Sequence, residues 1–144
     1  MHEKQVASLV KKLGNIPLSD SDLKREAHAL KIPDFLGVRM QDENMPDGNG
    51  CYIINTDIHT GPGVHWLAVV QKNKVCYVYD SFGRQSGGLV KFFRQNRVNR
   101  GYRIQNTDTS DQDQYGTRSV TCGHRCLSAL KIYKNHGLDN KMQL

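Results

Sequence analysis

The chain of 144 residues is long enough for one hydrophobic core but not for two, so we expect a single domain over residues 1–144. The composition, with 38% hydrophobic and 24% charged residues, is globular, and no run approaches the roughly 18 apolar residues of a membrane span. The net charge of +6 favours anionic partners only as a bias on association. Because the N-terminus has no apolar signal-peptide core, we expect an intracellular protein with its four cysteines reduced.

Two helices are predicted at the start of the chain. Apolar residues at helical spacing predict the first over Glu3–Leu13, with Gly14 ending it. A start signal at Ser19–Asp22 predicts a second helix that runs to about Leu30. Residues 32–50 are rich in turn-forming residues and are predicted to be a loop, with apolar anchors at Phe35, Leu36 and Val38.

Strands are predicted in the middle of the chain, at Cys51–Thr56, Val64–Gln71 and Val75–Asp80. Phe82-Gly83 is a predicted turn. The segments predicted after it are a helix over Gly88–Asn99, a short strand over Tyr102–Gln105, a polar loop, and a last helix from Cys122 to about Lys134. Helical regions and about four strands predict an α+β fold.

A predicted hairpin brings His65 close to Asp80. If Lys72-Asn73 form a two-residue turn, Val70 faces Val75 and His65 faces Asp80, with Cβ atoms about 4.5–5.5 Å apart. Asp80 would then hold one tautomer of His65 and stabilise its cation. A register slip would separate the pair, and a cross-strand ion pair without any chemistry is the simpler alternative.

The segment SVTCGHRCL places Cys122 at a predicted helix start, where unpaired N–H groups and the helix dipole stabilise a thiolate. Together with the His65/Asp80 pair, this arrangement is typical of thiol nucleophilic catalysis, with His65 as the base. Cys126 is expected in the core. The alternatives are an inert thiol, a redox pair, which would favour C-x-x-C, and a zinc site with His124, which lacks a second pair of ligands.

The ordered motifs GVHW, YDSFG, DQDQ and TCG resemble those of the adenovirus-type (adenain-like) cysteine proteases, which share a fold and active site with the SUMO-specific Ulp-type proteases. The stretch ALKIPDFLGVRMQDENMP is also similar to viral members, so the resemblance covers about Leu30 to Leu130. It implies a central, mostly antiparallel sheet with the nucleophile-bearing helix packed on it. It further implies that Cys122 is the nucleophile, His65 the base and Asp80 the orienting acid.

The resemblance also implies that a glutamine donates to the oxyanion together with the Cys122 backbone N–H. Gln112 and Gln114 are both candidates, and the spacing favours Gln114, with simple loop solvation as the alternative. Trp66 and Gly123 are expected to line a narrow substrate cleft, although the Trp66 indole could equally pack in the core against Tyr79.

Substrates and partners are likewise implied by the resemblance. We expect a monomer that matures viral capsid and core precursors beside small residues such as glycine, in the virion and the host cell nucleus. The chemistry needs no cofactor or metal, while DNA or a peptide could act as an activator. The peptide linkage of the adenovirus enzyme is not carried over, because no cysteine lies between Cys76 and Cys122. The chain ends soon after the nucleophile helix, so we expect either a minimal viral version or one without a C-terminal layer.

Basic residues recur every three positions at Lys91, Arg94, Arg97, Arg100 and Arg103. The first three could share a helix face and bind phosphates without sequence preference, or they could form an ordinary solvated face.

Three other functions remain as alternatives. An isopeptidase for SUMO or another ubiquitin-like protein would need a broad docking surface. A DNA- or protein-binding module on an inactive protease fold would have no reason to keep His65, Asp80 and Cys122. A zinc-binding interaction domain is the most distant of the three.

Overall fold

The computed structural model of the protein describes residues 2–61, 63–81, 90–106 and 120–136. Within these ranges the chain forms four helices, which are α1 (His2–Leu13), α2 (Asp20–Ala29), α3 (Lys91–Asn99) and α4 (Cys122–His136). It also forms five strands, which are β1 (Phe35–Met40), β2 (Gly50–Asn55), β3 (Trp66–Lys72), β4 (Val75–Tyr79) and β5 (Arg103–Asn106). The predicted α+β class is confirmed. None of the described helices is long and apolar enough to cross a membrane.

These five strands form one sheet in the order β1-β2-β3-β4-β5, which lies at the centre of the described part of the chain. The three central strands are antiparallel neighbours, as predicted. The two edge strands pair in parallel, β1 with β2 and β5 with β4, so the sheet is mixed. The sheet order therefore puts the ends of β3 and β4 in its middle, where other elements can cover them.

Helices cover both faces of the sheet. On one face α1, α2 and α4 pack against alternate residues of β2 and β3, with Leu23 and Leu130 in the same cluster as Ile53. On the other face α3 packs through Phe93, whose ring lies edge-on to that of Tyr52 with 6.4 Å between centroids. Burying a side chain of this kind stabilises the fold by about 1.5–3 kcal/mol. Because both faces are covered, the central strands read as continuous apolar runs.

The end of α1 and the start of α2 lie where they were predicted. Gly14 adopts φ +93° and its N–H donates to the Val10 carbonyl at 2.8 Å, which ends α1. Ser19 caps α2, because its Oγ accepts from the Asp22 N–H at 3.1 Å while the Asp22 carboxylate accepts from the Ser19 N–H at 3.0 Å. The preceding residue, Leu18, lies against the start of α4, where a Cβ on Gly123 would be 3.3 Å from its side chain.

The prediction of a loop over residues 35–40 was wrong. Phe35–Met40 form β1, which pairs in parallel with β2 and places Val38 opposite Ile53. Gly37 adopts φ +117° where the register shifts, so an irregularity interrupts the apolar pattern. All six residues are only half-buried, and this edge position removes the alternation by which a strand is recognised.

The predicted register of the β3–β4 hairpin was also wrong. The turn is formed by Asn73-Lys74, which adopt φ values of 52° and 65°, as a two-residue type I′ turn requires. Ala68 therefore faces Tyr79 rather than Tyr77. The pairing is displaced by two positions, and since the side-chain period of a strand is two, every residue keeps its predicted face.

Other boundaries differ from the predictions by one to three residues. Strand β3 begins at Trp66 rather than Val64, because the Val64 N–H donates to a side chain at 2.9 Å instead of to a neighbouring strand. Helix α3 begins at Lys91, since Val90 has the non-helical angles φ −127° and ψ 46°. The predicted turn at residues 82–83 lies outside the described residues.

Candidate active site

The structure brings His65 and Asp80 into contact at the end of the β3–β4 hairpin. His65 directly precedes β3 and Asp80 directly follows β4. Continuing the observed register places Asp80 opposite Leu67, so His65 is its diagonal neighbour on the same face, within reach of long side chains. The distance between His65 Nε2 and Asp80 Oδ1 is 2.7 Å, and the side chains are only 5% and 2% exposed.

Cys122 is the first residue of α4, where its thiol meets the His65 imidazole. Burial raises the pKa of the Cys122 thiol, whereas the hydrogen bond and charge of His65 lower it. The backbone N–H groups of Trp66 and Gly123 act in the same direction, so the pKa lies below that of an ordinary thiol. Because Asp80 engages Nε2 of the imidazole, Nδ1 is the nitrogen left for the sulfur.

The imidazole responds in the opposite direction. Burial alone lowers the pKa of His65, but its hydrogen bonds to Asp80 and Cys122, together with their charges, raise it above its ordinary value. A lowered thiol pKa beside a raised imidazole pKa favours the thiolate–imidazolium pair over two neutral groups. This ion pair is the reactive form of a catalytic cysteine.

At two other thiols of the chain the effect of burial prevails. It raises the pKa of both Cys51 and Cys76 to about 12, so these thiols stay protonated at neutral pH. None of the four cysteines forms a disulfide, and Cys126 lies in the core, as predicted. A thiol-directed reagent at neutral pH should therefore reach Cys122 selectively.

Trp66 and Gly123 connect the site to the core. The Trp66 indole packs in the same cluster as Tyr79, and its Nε1–H donates to the Leu18 carbonyl at 2.9 Å. A Cβ on Gly123 would lie 3.3 Å from the side chains of Leu18 and Leu23. The chain segment that comes close to Gly123 is therefore the protein's own, at Leu18 and Leu23. The expected role of Trp66 and Gly123 in substrate binding stays a prediction.

The two glutamines that are candidates for the oxyanion site, Gln112 and Gln114, lie outside the described residues. The assignment of Gln114 therefore stays a prediction.

Arg97 does not belong to an exposed basic face. It is fully buried, and its guanidinium donates to the Pro46 carbonyl at 2.9 Å and to Gln71 Oε1 at 3.1 Å while lying over the Tyr102 ring. The prediction that Arg97 binds nucleic acid is corrected, because its donors are used inside the protein. Lys91 and Arg94 are exposed on α3.

His124 is packed inside the protein and hydrogen-bonded to the main chain. It is fully buried, and its Nε2 lies 2.8 Å from the Gly14 carbonyl oxygen. Burial is the main reason that its pKa is lowered, so the imidazole is neutral and can donate this hydrogen bond. Among the described residues no cluster of three or more His, Cys, Asp or Glu side chains could hold a metal ion.

Sequence reasoning missed the residues that hold the loop leading into His65. Asn55 ends β2, is 2% exposed, and accepts backbone hydrogen bonds from both ends of that loop. Asp57 accepts the N–H of Gly63 at 3.0 Å. The available signal was a polar residue ending an otherwise apolar strand, which indicates a side chain bonded to the backbone.

Comparison with known proteins gives one family. Residues 35–143 match the model of the adenovirus endoprotease family, a range that contains His65, Asp80 and Cys122. The chain is 31% identical over 135 residues to a protease of Porcine adenovirus A serotype 3, covering 82% of this chain and 65% of the relative. It is 26% identical over 142 residues to a protease of Human adenovirus D serotype 9, covering 91% and 62%. The chain thus spans slightly less than two thirds of either relative.

Proposed function

Because the chain belongs to the adenovirus endoprotease family, we propose that it is a cysteine endopeptidase with Cys122 as nucleophile, His65 as general base and acid, and Asp80 as the orienting carboxylate. The observation that carries this proposal is the continuous contact from Asp80 through His65 to Cys122 at the start of α4. The opposite pKa shifts of the thiol and the imidazole support it, since they favour the charged pair.

The reaction begins with attack of the Cys122 thiolate on the scissile carbonyl carbon, which forms a C–S bond and an oxyanion. The Cys122 backbone N–H at the helix start, together with the predicted Gln114 amide, would stabilise this oxyanion. His65 then gives its proton to the leaving amine as the C–N bond breaks. In the second half, neutral His65 takes a proton from water, which attacks the thioester, releases the acid and restores the thiolate.

The test is the pH dependence of Cys122 alkylation by iodoacetamide in the wild type and in His65→Ala. The wild-type thiol should react well below the ordinary thiol pKa of about 8.5, and His65→Ala should abolish this advantage. Mass spectrometry assigns the modified residue, with Cys122→Ser as the control for reaction elsewhere. A thiol that titrates like a free cysteine in both proteins would contradict the proposed chemistry.

The substrates that we propose are viral capsid and core precursor proteins, cleaved beside small residues such as glycine in the virion and the nucleus of the host cell. The viral origin of both relatives supports this choice. The test measures cleavage of peptides with glycine or a bulky residue at the cleavage position, with a ubiquitin-like precursor assayed in parallel. Cleavage of the ubiquitin-like precursor alone would replace the proposal with an isopeptidase.

DNA is proposed as an activator that binds through exposed basic residues of α3. Lys91 and Arg94 support this role because both are exposed, whereas Arg97 is withdrawn into the core. The double variant Lys91→Glu/Arg94→Glu should weaken DNA binding and reduce its salt dependence, measured by fluorescence anisotropy at several salt concentrations. Lys4→Glu/Lys11→Glu on α1, which changes exposed residues and the net charge by the same amount, is the control. An equal loss there would show that only net charge matters.

A further inference from the structure

Asn55 joins the two ends of the loop that leads into His65. Its side chain is almost fully buried, and its Oδ1 accepts from the Asp57 N–H at 2.8 Å and from the Val64 N–H at 2.9 Å. One amide oxygen therefore holds both the first turn of the loop and the residue immediately before His65. A buried acceptor with two backbone donors is expensive to replace, because each N–H would lose its partner.

The backbone repeats this connection beside the side chain. The Thr56 N–H donates to the His65 carbonyl at 2.9 Å, and Asn55 lies opposite Trp66 in the β2–β3 register. Gly63 comes so close to the amide that a Cβ on it would lie 3.3 Å from Asn55 Nδ2, and its φ is +97°. Only glycine adopts this conformation easily and leaves room for the amide. The main chain before β3 is thus held against the end of β2.

This main chain carries two groups that contact the thiol of Cys122. The His65 imidazole stabilises the thiolate, and the Trp66 N–H donates to the same sulfur. A shift of residues 64–66 would disturb both contacts at once, together with the 2.7 Å bond between His65 and Asp80. Misplacement of reacting groups by about 1 Å can cost a hundredfold in rate.

We propose that Asn55 is a positioning residue, which sets the main chain at residues 64–66 so that His65 and the Trp66 N–H meet the sulfur together. This inference rests on the proposed function, because it assumes that the Cys122–His65 pair is the reactive one. Asn55 acts through the backbone and contacts none of the reacting atoms. Its effect should therefore appear in the ionisation of Cys122 and in kcat more than in KM.

The experiment compares the pH profile of Cys122 alkylation by iodoacetamide in full-length variants whose folding is checked by circular dichroism and thermal unfolding. Asn55→Ala should slow alkylation at pH 6.5 about tenfold or more and move the profile towards that of a free thiol. Asn55→Asp keeps an acceptor oxygen for both N–H groups and should restore most of the rate. The matched control is Asn49→Ala at the other end of β2, where Oδ1 accepts the Asn73 N–H at 3.1 Å.

The outcomes separate the inference from the proposed function. A reactive wild type with an equally reactive, folded Asn55→Ala overturns the inference alone, as does a lowered melting temperature without any change in the pH profile. A wild-type thiol that titrates like a free cysteine overturns the proposed function and the inference with it. If Asn55→Ala does not fold, Gly63→Ala decides, because its methyl group presses on the same amide. A wild-type profile for Gly63→Ala overturns the inference.

Discussion

Asp80→Asn should slow the alkylation of Cys122 at neutral pH by up to about tenfold while the protein stays folded. Asp80 is 2% exposed, and its Oδ1 lies 2.7 Å from Nε2 of His65. Asparagine has the same shape and can still accept the imidazole N–H, so the change removes the charge and keeps the geometry. The variant therefore measures how much the carboxylate contributes to the imidazolium, and through it to the thiolate.

The magnitude follows from the strength of one hydrogen bond. A hydrogen bond to a charged group contributes about 1.5–3 kcal/mol net and a neutral one about 0.5–1.5 kcal/mol. The difference is about 1–1.5 kcal/mol, and 1.36 kcal/mol is a factor of ten in an equilibrium constant. The equilibrium constant for forming the thiolate–imidazolium pair therefore falls about tenfold, and the alkylation rate falls by up to that factor. Coulomb's law for unit charges 2.7 Å apart at an effective dielectric constant of 20 yields about 6 kcal/mol. This value is an upper bound, because the cost of removing both groups from water offsets part of the attraction.

The assay is the second-order rate constant with iodoacetamide from pH 5 to 9. The matched control is Asp47→Asn, which removes a carboxylate 3.3 Å from Arg97 at the other end of the sheet and should leave the rate unchanged. The free energy of unfolding should also depend on pH, because the pKa of His65 is raised in the folded state. The pair stabilises the protein fully below the ordinary imidazole pKa of 6.5, and this contribution is lost as the pH rises through the raised value. A wild-type alkylation rate in Asp80→Asn across the pH range would refute the reasoning.

Three further predictions concern the same fold. Peptide hydrolysis should follow a bell-shaped pH profile, since the lowered pKa of Cys122 sets the acid limb and the raised pKa of His65 the alkaline limb; a profile with only a rising limb would contradict this. Gly123→Ala should destabilise the protein by about 1–3 kcal/mol in urea unfolding, because the new methyl group would lie 3.3 Å from two leucine side chains; an unchanged midpoint would disprove the overpacking. Arg97→Ala should cost about 3 kcal/mol or more by leaving buried acceptors unpaired, whereas exposed Arg94→Ala should stay within about 0.5 kcal/mol; equal losses would contradict the burial argument.

The contact between His65 and Asp80 could be predicted from sequence although the hairpin register could not. The choice between a turn at Lys72-Asn73 and one at Asn73-Lys74 depends on which residues accept a positive φ, and the second choice places a lysine at φ 65°. The hairpin lies inside a sheet in which β3 also pairs with β2 and β4 with β5, and sequence spacing does not reveal these pairings. The contact survives because a displacement of two positions preserves the face and leaves a diagonal that long side chains span.

The role of Arg97 shows the reverse case, in which a regular charge pattern was misleading. Three-residue spacing makes Lys91, Arg94 and Arg97 look equivalent, yet only the last is buried. Val90, Phe93 and Arg97 follow the spacing i, i+3, i+7 of an inward-facing helix stripe, and all three are buried. The helical spacing therefore indicated that Arg97 belongs to the buried face of the helix. The prediction of a basic surface followed the charge of Arg97 and not this spacing. What no sequence pattern supplies is the set of carbonyl and amide acceptors that makes burial of a guanidinium tolerable.

The three residues of the candidate site share a location that explains why residue type alone indicated them. His65 directly precedes β3, Asp80 directly follows β4, and Cys122 is the first residue of α4. Each therefore takes its position from an element packed in the core, while its side chain lies where that element ends and the regular pattern stops. Reactive residues at the ends of helices and strands interrupt the apolar pattern, so they can be identified without knowing the strand register. The backbone path between those ends is not legible, because it depends on contacts such as the Asn55 amide with Val64, which bind main chain and carry no periodic signal. The precision of the site therefore rests on residues that sequence reasoning is least able to find.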